Sequence, residues 1–260
     1  MVGMLPASTL DIRMNTSTPA PYSATKPGDL LLWLMLALLA VLWSRYSNLD
    51  WQIAEYFYDP ASAGFPLRND HFWSGAHTFT RNLSTLLWIL LLAFTVRQAR
   101  LQGNTDAVKA GGFILLASAI ALGVNGVLKT HSVHSCPWSL TAFGGNADFF
   151  RLLDPVPSNP GSGGCLPSGH AAVGFMWWPV VYACARWRPA RISLAFMLVL
   201  AFGILCGYVQ IVRGAHFVSH VLMAAAVTGG CTSLIFHLCM RLRFWQASPT
   251  PVFAQGGRHG

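Results

Sequence analysis

Three short clusters carry the side chains that could do chemistry in this 260-residue chain. KTHSVHSCPW runs from Lys129 to Trp138, LPSGH from Leu166 to His170, and QIVRGAHFVSH from Gln210 to His220. His216 and His220 stand four residues apart, so on a helix they share one face a single turn apart. An imidazole can attack phosphorus when its other ring nitrogen is held, and a second imidazole can protonate the leaving oxygen. His216 fits the first role and His170 the second. Lys129 and Arg213 flank the histidines and supply positive charge for a phosphate, with Arg151 a weaker candidate. Ser168 offers a hydroxyl donor, Gly169 lets the backbone come close, and a helix start at this point gathers unpaired N–H groups suited to an anion. Read alone, Pro-Ser-Gly-His is equally a simple helix cap, and the alternative for any one cation is an interfacial anchor whose stem snorkels to water.

The elements that must position these residues follow from hydrophobicity. Apolar residues make up 53% of the chain and charged residues 10%, far below the roughly 25% charged residues of soluble domains. Six segments are apolar enough to cross a bilayer as helices, near 29–46, 83–99, 110–128, 170–186, 191–209 and 217–240. The expected fold is all-α, a polytopic membrane protein with a six-helix domain over 29–240. Polar cytoplasmic tails are expected at 1–28 and 241–260, and outside loops at about 47–82 and 129–169. The first loop is aromatic-rich and is expected to hold short interfacial helices. Placing both termini inside puts eleven Lys and Arg on the cytoplasmic side and six outside, with RWRPAR (Arg186 to Arg191) the strongest pointer. All three chemical clusters then fall at outer-face helix mouths. The net charge of +8 is spread between apolar runs and no nucleic-acid motif accompanies it, so no nucleic-acid partner is expected. The amino terminus lacks the pattern of a signal peptide.

Four cysteines, Cys184, Cys206, Cys231 and Cys239, fall within or beside spans and act as small apolar residues. Cys136 and Cys165 share the second outside loop and are either two thiols or, on an oxidising side, a disulfide. Neither belongs to a CxxC pair, so no metal site is expected. His131 and His134 are read as exposed loop residues that can also reach phosphate, His71 and His77 as interfacial, and His237 as structural. Nothing in the sequence aims Asp148 or Asp154 at a histidine.

Taken together, the three clusters resemble the motifs of the type 2 phosphatidic acid phosphatase superfamily. That pattern is Lys, six residues, Arg-Pro; then Pro-Ser-Gly-His; then Ser-Arg, five residues, His, three residues, Asp. Lys129 and Pro137 match the first motif, Pro167 to His170 match the second in full, and His216 matches the nucleophile of the third. Cys136 and Gln210 stand where arginines are expected, and His220 stands where the orienting aspartate is expected. The resemblance implies a six-span phosphatase of the bacterial inner membrane, needing no metal or cofactor and acting on a lipid phosphate at the periplasmic face. His216 would carry a phosphohistidine, His170 would act as acid, and His220 would take the aspartate's place in the catalytic set. Lys129, Ser168, Gly169 and Arg213 would bind phosphate. A lipid phosphotransferase, or a silent lipid-binding or transport protein on the same scaffold, stays open as an alternative, as do the lipid head group and the oligomeric state.

Overall fold

The computed structural model describes residues 28–242 together with 244 and 245. Arg13, Lys26, Arg243 and Arg258, used in the topology count, and most of both expected tails lie outside these residues. Eight α-helices follow one another: α1 (Gly28–Tyr46), α2 (Leu49–Phe57), α3 (His71–Gln102), α4 (Asp106–Thr130), α5 (Gly169–Phe175), α6 (Trp178–Trp187), α7 (Ile192–Val212) and α8 (Val218–Arg241). Five of them, α1, α3, α4, α7 and α8, are long and apolar enough to cross a membrane. The protein is an all-α, multi-pass membrane protein. Leucines such as Leu31, Leu32 and Leu34 of α1 and Leu86 and Leu90 of α3 are exposed, as faces turned to lipid require.

The fourth expected crossing, 170–186, is not one helix but the broken pair α5 and α6. Pro179 sits in the first turn of α6, where its missing N–H costs nothing but where it cannot continue α5. The break is held from α3: Ser84 Oγ donates to the Val173 carbonyl (3.1 Å) and accepts from Trp177 Nε1 (2.8 Å). Irregular backbone at this depth is tolerated because protein side chains satisfy it. The short α5 lies close against α7, where a Cβ on Gly174 would fall 2.7 Å from Gly203 Cα.

Two boundaries also differ from expectation. The first outside loop ends at Asp70, not near 82, because Asp70 Oδ1 accepts from Phe72 N (2.9 Å) and Trp73 N (3.1 Å) and starts a 32-residue helix there. That helix is about 48 Å long, well beyond the bilayer's apolar thickness of about 30 Å, so residues that sequence hydropathy placed in the loop are helical turns that extend the span past the bilayer. At the other terminus Trp245, inside the expected tail, is buried against Phe113 and Phe236.

The core is built around α8, which packs on α1, α4, α5 and α6. At one end of the bundle, α2 and the 131–168 segment form a cap over the mouths of α4, α5 and α8. Its apolar centre is Phe65, Leu140, Phe143 and Phe217 with Trp51 and Tyr58 around them. Main-chain bonds tie this cap to the α7–α8 turn and to α8, as Trp138 N donates to Gly214 O (2.9 Å) and Ser168 N to His220 O (3.0 Å), while Cys165 N donates to His134 O (3.0 Å) within the cap. Gly214 has φ +68°, and a Cβ there would strike the Phe65 ring at 2.3 Å. The turn between α7 and α8 therefore requires glycine twice over, for its backbone and for its neighbour.

Candidate active site

The capped end brings the three sequence clusters together. Ser168 caps α5, its Oγ accepting from Ala171 N (3.3 Å), and is fully buried. At 7 residues α5 is short, so the charge facing an anion must come mainly from side chains. Gly169 makes room for one of them: a Cβ there would lie 3.3 Å from Cδ and Cε of Lys129. The Lys129 ammonium, at the end of α4, donates to the Gly164 carbonyl.

Cys136 and Cys165 form a disulfide, with Cα atoms 5.2 Å apart. It ties the loop following Lys129 to the strand of chain entering α5. The Cys165 backbone in turn lies beside both His216 and His220. His216 lies in the turn between α7 and α8, is 7% exposed, and has Nδ1 3.4 Å from Nδ1 of His220 in the first turn of α8. Burial, with the Lys129 charge adding to it, pushes the His216 pKa down to about 3, so the ring is neutral at ordinary pH.

His170 is also buried, and its partners come from the first turns of α3, which the sequence reading placed in the outside loop. Nε2 lies 3.0 Å from Thr80 Oγ1, and the His77 ring sits over it at 4.1 Å between centroids. Thr80 Oγ1 also lies 2.8 Å from the Ala76 carbonyl, so its proton can go there while its oxygen accepts from the imidazole. His77, expected at the interface, is thus part of the site. No sequence signal marks Thr80, which is one of several threonines on a long helix.

The cations fall into two groups. Lys129 acts on His216 and His220, whereas the charges of Arg81 and Arg213 act on His170 and His77. Arg213 Nε donates to the Arg68 carbonyl (3.0 Å), and the Arg68 guanidinium covers the Trp138 ring at 4.3 Å. Burial and the Arg68 charge lower the pKa of Arg213. Arg151 is committed elsewhere, to the Arg45 carbonyl (3.0 Å) and the Asn48 side chain. Gln210, at the expected arginine position, is 3% exposed, and its Nε2 has no hydrogen-bond partner among the described residues.

Other candidates separate cleanly. His131 Nδ1 is turned back to the Val127 carbonyl (2.8 Å), and His134 stacks on Phe150 at 4.3 Å. Asp154 pairs with Arg45 (3.3 Å), while Asp148 lines a small cavity beside His220. His237 lies at the far end of α8, against Asp29 (2.7 Å).

A capped bundle of apolar helices with buried imidazoles and cations gathered at one end is the class of membrane protein that fold and site define. The sequence model of the PAP2 superfamily matches residues 110–245, just over half of the chain, and the protein belongs to that superfamily. No curated protein matches it. Among solved structures it is similar to a transmembrane PAP2-type phosphatidylglycerolphosphate phosphatase from Bacillus subtilis. The two share 19% identity over 85% of this chain and 99% of that one, with a TM-score of 0.52, which is a likeness of fold.

Proposed function

We propose that this protein is a membrane lipid phosphatase that releases phosphate from a lipid head group through a phosphohistidine on His216. The observation that carries the reading is the neutral, buried His216 ring, with Nδ1 beside His220 and with Lys129 and His170 near enough for their charges to act on it. Nε2 of His216 attacks phosphorus, the N–P bond forms as the P–O bond to the lipid breaks, and His170 gives its proton to the leaving oxygen. His170 then takes a proton from water, whose oxygen attacks the phosphohistidine, breaks the N–P bond and frees inorganic phosphate. Lys129 offsets phosphate charge, and the unpartnered Gln210 amide is a further donor where the family motif has arginine.

Charge placement bears on the head group. In an in-line transfer the leaving group lies on the side of the acid, and here that side gathers His77, Arg81 and Arg213, with Arg68 behind Arg213. None of these guanidiniums pairs with a carboxylate among the described residues. A leaving group that is itself anionic, such as a phosphodiester or a second phosphate, gains most from such a field. The phosphatidylglycerolphosphate named for the similar solved structure has that character. The Cys136–Cys165 disulfide and the basic loop Arg186 to Arg191 at the opposite end support a cup open to the periplasm, with both termini in the cytoplasm.

The test is purified protein in detergent with a chelator, given phosphatidylglycerolphosphate, a polyprenyl diphosphate and phosphatidic acid. Phosphate release is expected, fastest from the first two, and lost in His216→Ala and His170→Ala. Full activity in His216→Ala would overturn the proposal. Transfer of phosphate to a second lipid rather than to water would assign the phosphotransferase reading.

A further inference from the structure

The family motif places a carboxylate four residues after the nucleophile, and this chain has His220 there. A carboxylate is nevertheless nearby, from a part of the chain that carries no motif. Asp50, in the first turn of α2, is 6% exposed. Its Oδ1 accepts from Trp43 Nε1 (3.1 Å) and from the backbone N–H of Ser219 (3.0 Å), so the carboxylate is fastened to the first turn of α8, beside His220. Between them lies a cavity of about 10 Å³, whose lining includes Asp50, His134, Ser135, Asp148 and His220. One water needs about 10–15 Å³ and two to four polar partners, which this lining supplies.

We propose that Asp50 is the carboxylate of this site, a positioning residue that acts on His216 through one water and His220. The inference rests on the phosphohistidine reading above. For Nε2 of His216 to attack, its ring proton must sit on Nδ1. His220 Nδ1, 3.4 Å away, is then the acceptor and carries its own proton on Nε2. That proton points to the water, and the water to Asp50. When the N–P bond forms, the His216 ring becomes cationic, and its Nδ1 proton leans toward His220 while the Nε2 proton of His220 leans toward the water and the carboxylate. The proton positions reverse when the N–P bond breaks. The other charged or titratable groups facing His220 are His216, His134 and Lys129, none of which can offset a cation, and Asp148, whose exposed carboxylate is screened by solvent. Burial raises the pKa of Asp50, and the bonds from Ser219 and Trp43 oppose that rise.

Asp50→Asn tests the proposal because the amide oxygen can keep both hydrogen bonds while the charge and the second acceptor oxygen are lost. The expected result is a kcat lower by about 10- to 100-fold with KM within about twofold, at an unchanged melting temperature. In a His220→Asp background, which sets a carboxylate directly against His216, the same change is expected to cost less than about threefold. Equal losses in both backgrounds would make Asp50 merely a support for α8 and overturn the proposal, as would a wild-type kcat in Asp50→Asn. Should that variant fail to fold, nitrogen NMR of histidine in the wild type still decides: protons on Nδ1 of His216 and Nε2 of His220 are expected, and the opposite tautomers would exclude the chain. An active wild type with a dead His216→Ala and an unaffected Asp50→Asn would sink the inference alone. A wild type that releases no phosphate from any lipid would sink the phosphatase reading, leaving the tautomers to test the connection.

Discussion

The two ends of the bundle treat buried histidines in opposite ways. Far from the site, His237 Nε2 meets Asp29 Oδ1 at 2.7 Å, while Asp29 Oδ2 accepts from Tyr182 (2.7 Å) and Ser233 (2.5 Å). Tyr182 also accepts from Trp33 Nε1 (3.0 Å). That network joins α1, which is otherwise turned largely to lipid, to α6 and α8, and each member has a partner. At the capped end, His170, His216 and His220 meet a threonine, other histidines and a set of cations, and among the described residues no carboxylate touches a ring directly. The first arrangement is complete and stabilises packing. The second gathers cations around the rings, which suits the phosphate site proposed above.

The sharpest way to break this comparison is to remove one histidine from each end. His216→Ala is expected to lower phosphate release by about a thousandfold or more without loss of fold. His237→Ala is expected to keep kcat per folded molecule within about twofold and to lower stability by about 1–3 kcal/mol, because Asp29 loses a partner. Phosphate release and thermal denaturation, measured side by side, check both, and an inactive but stable His237→Ala would erase the distinction.

Reduction of the disulfide should act on one end only. It closes a loop with a sequence separation of 29, so opening it costs about 3 kcal/mol. Dithiothreitol, or Cys136→Ser with Cys165→Ser, should therefore lower both melting temperature and turnover, since the disulfide fixes the chain that passes beside His216 and His220 into α5. The His237 network should keep its contribution, so His237→Ala should cost the same stability in reduced and oxidised protein.

For a change of one pH unit the expected effect is smaller. The His216 pKa falls from the ordinary 6.5 to about 3 in the folded protein. Between those values the unfolded chain binds a proton that the folded chain does not, so stability declines as pH falls, by about 1.4 kcal/mol per pH unit for this ring. Stability is complete above pH 6.5, and the loss ends near pH 3. Denaturant titrations at several pH values should show a slope reduced by about one proton in His216→Ala; an unchanged slope would mean the ring is not desolvated as described.

Much of this layout was legible in the chain. Five of the expected crossings are single helices because long apolar runs with few charges leave the backbone no other way to satisfy itself in lipid. The histidine clusters meet because an even number of crossings separates their loops. What hydropathy misses is tertiary. Residues 71–82 look like loop by composition, yet the Asp70 cap and packing against α5 make them helix and bring His77 and Thr80 to His170. The break between α5 and α6 depends on Ser84, some ninety residues away in sequence, to satisfy it. Asp50 and Ser219 are 169 positions apart, and no local pattern in either segment announces the other. Arg213 was expected to serve phosphate alongside Lys129, but the fold sets these two cations around different imidazoles.

The glycine of the Pro-Ser-Gly-His step is not there for a tight turn, since its φ is not positive. It is a notch for the aliphatic arm of a lysine forty positions upstream. The tetrapeptide and that lysine are therefore one mechanical part made from two lengths of chain. Grafting either into another scaffold without the other would leave an ammonium with nowhere to lie, or a slot with nothing in it.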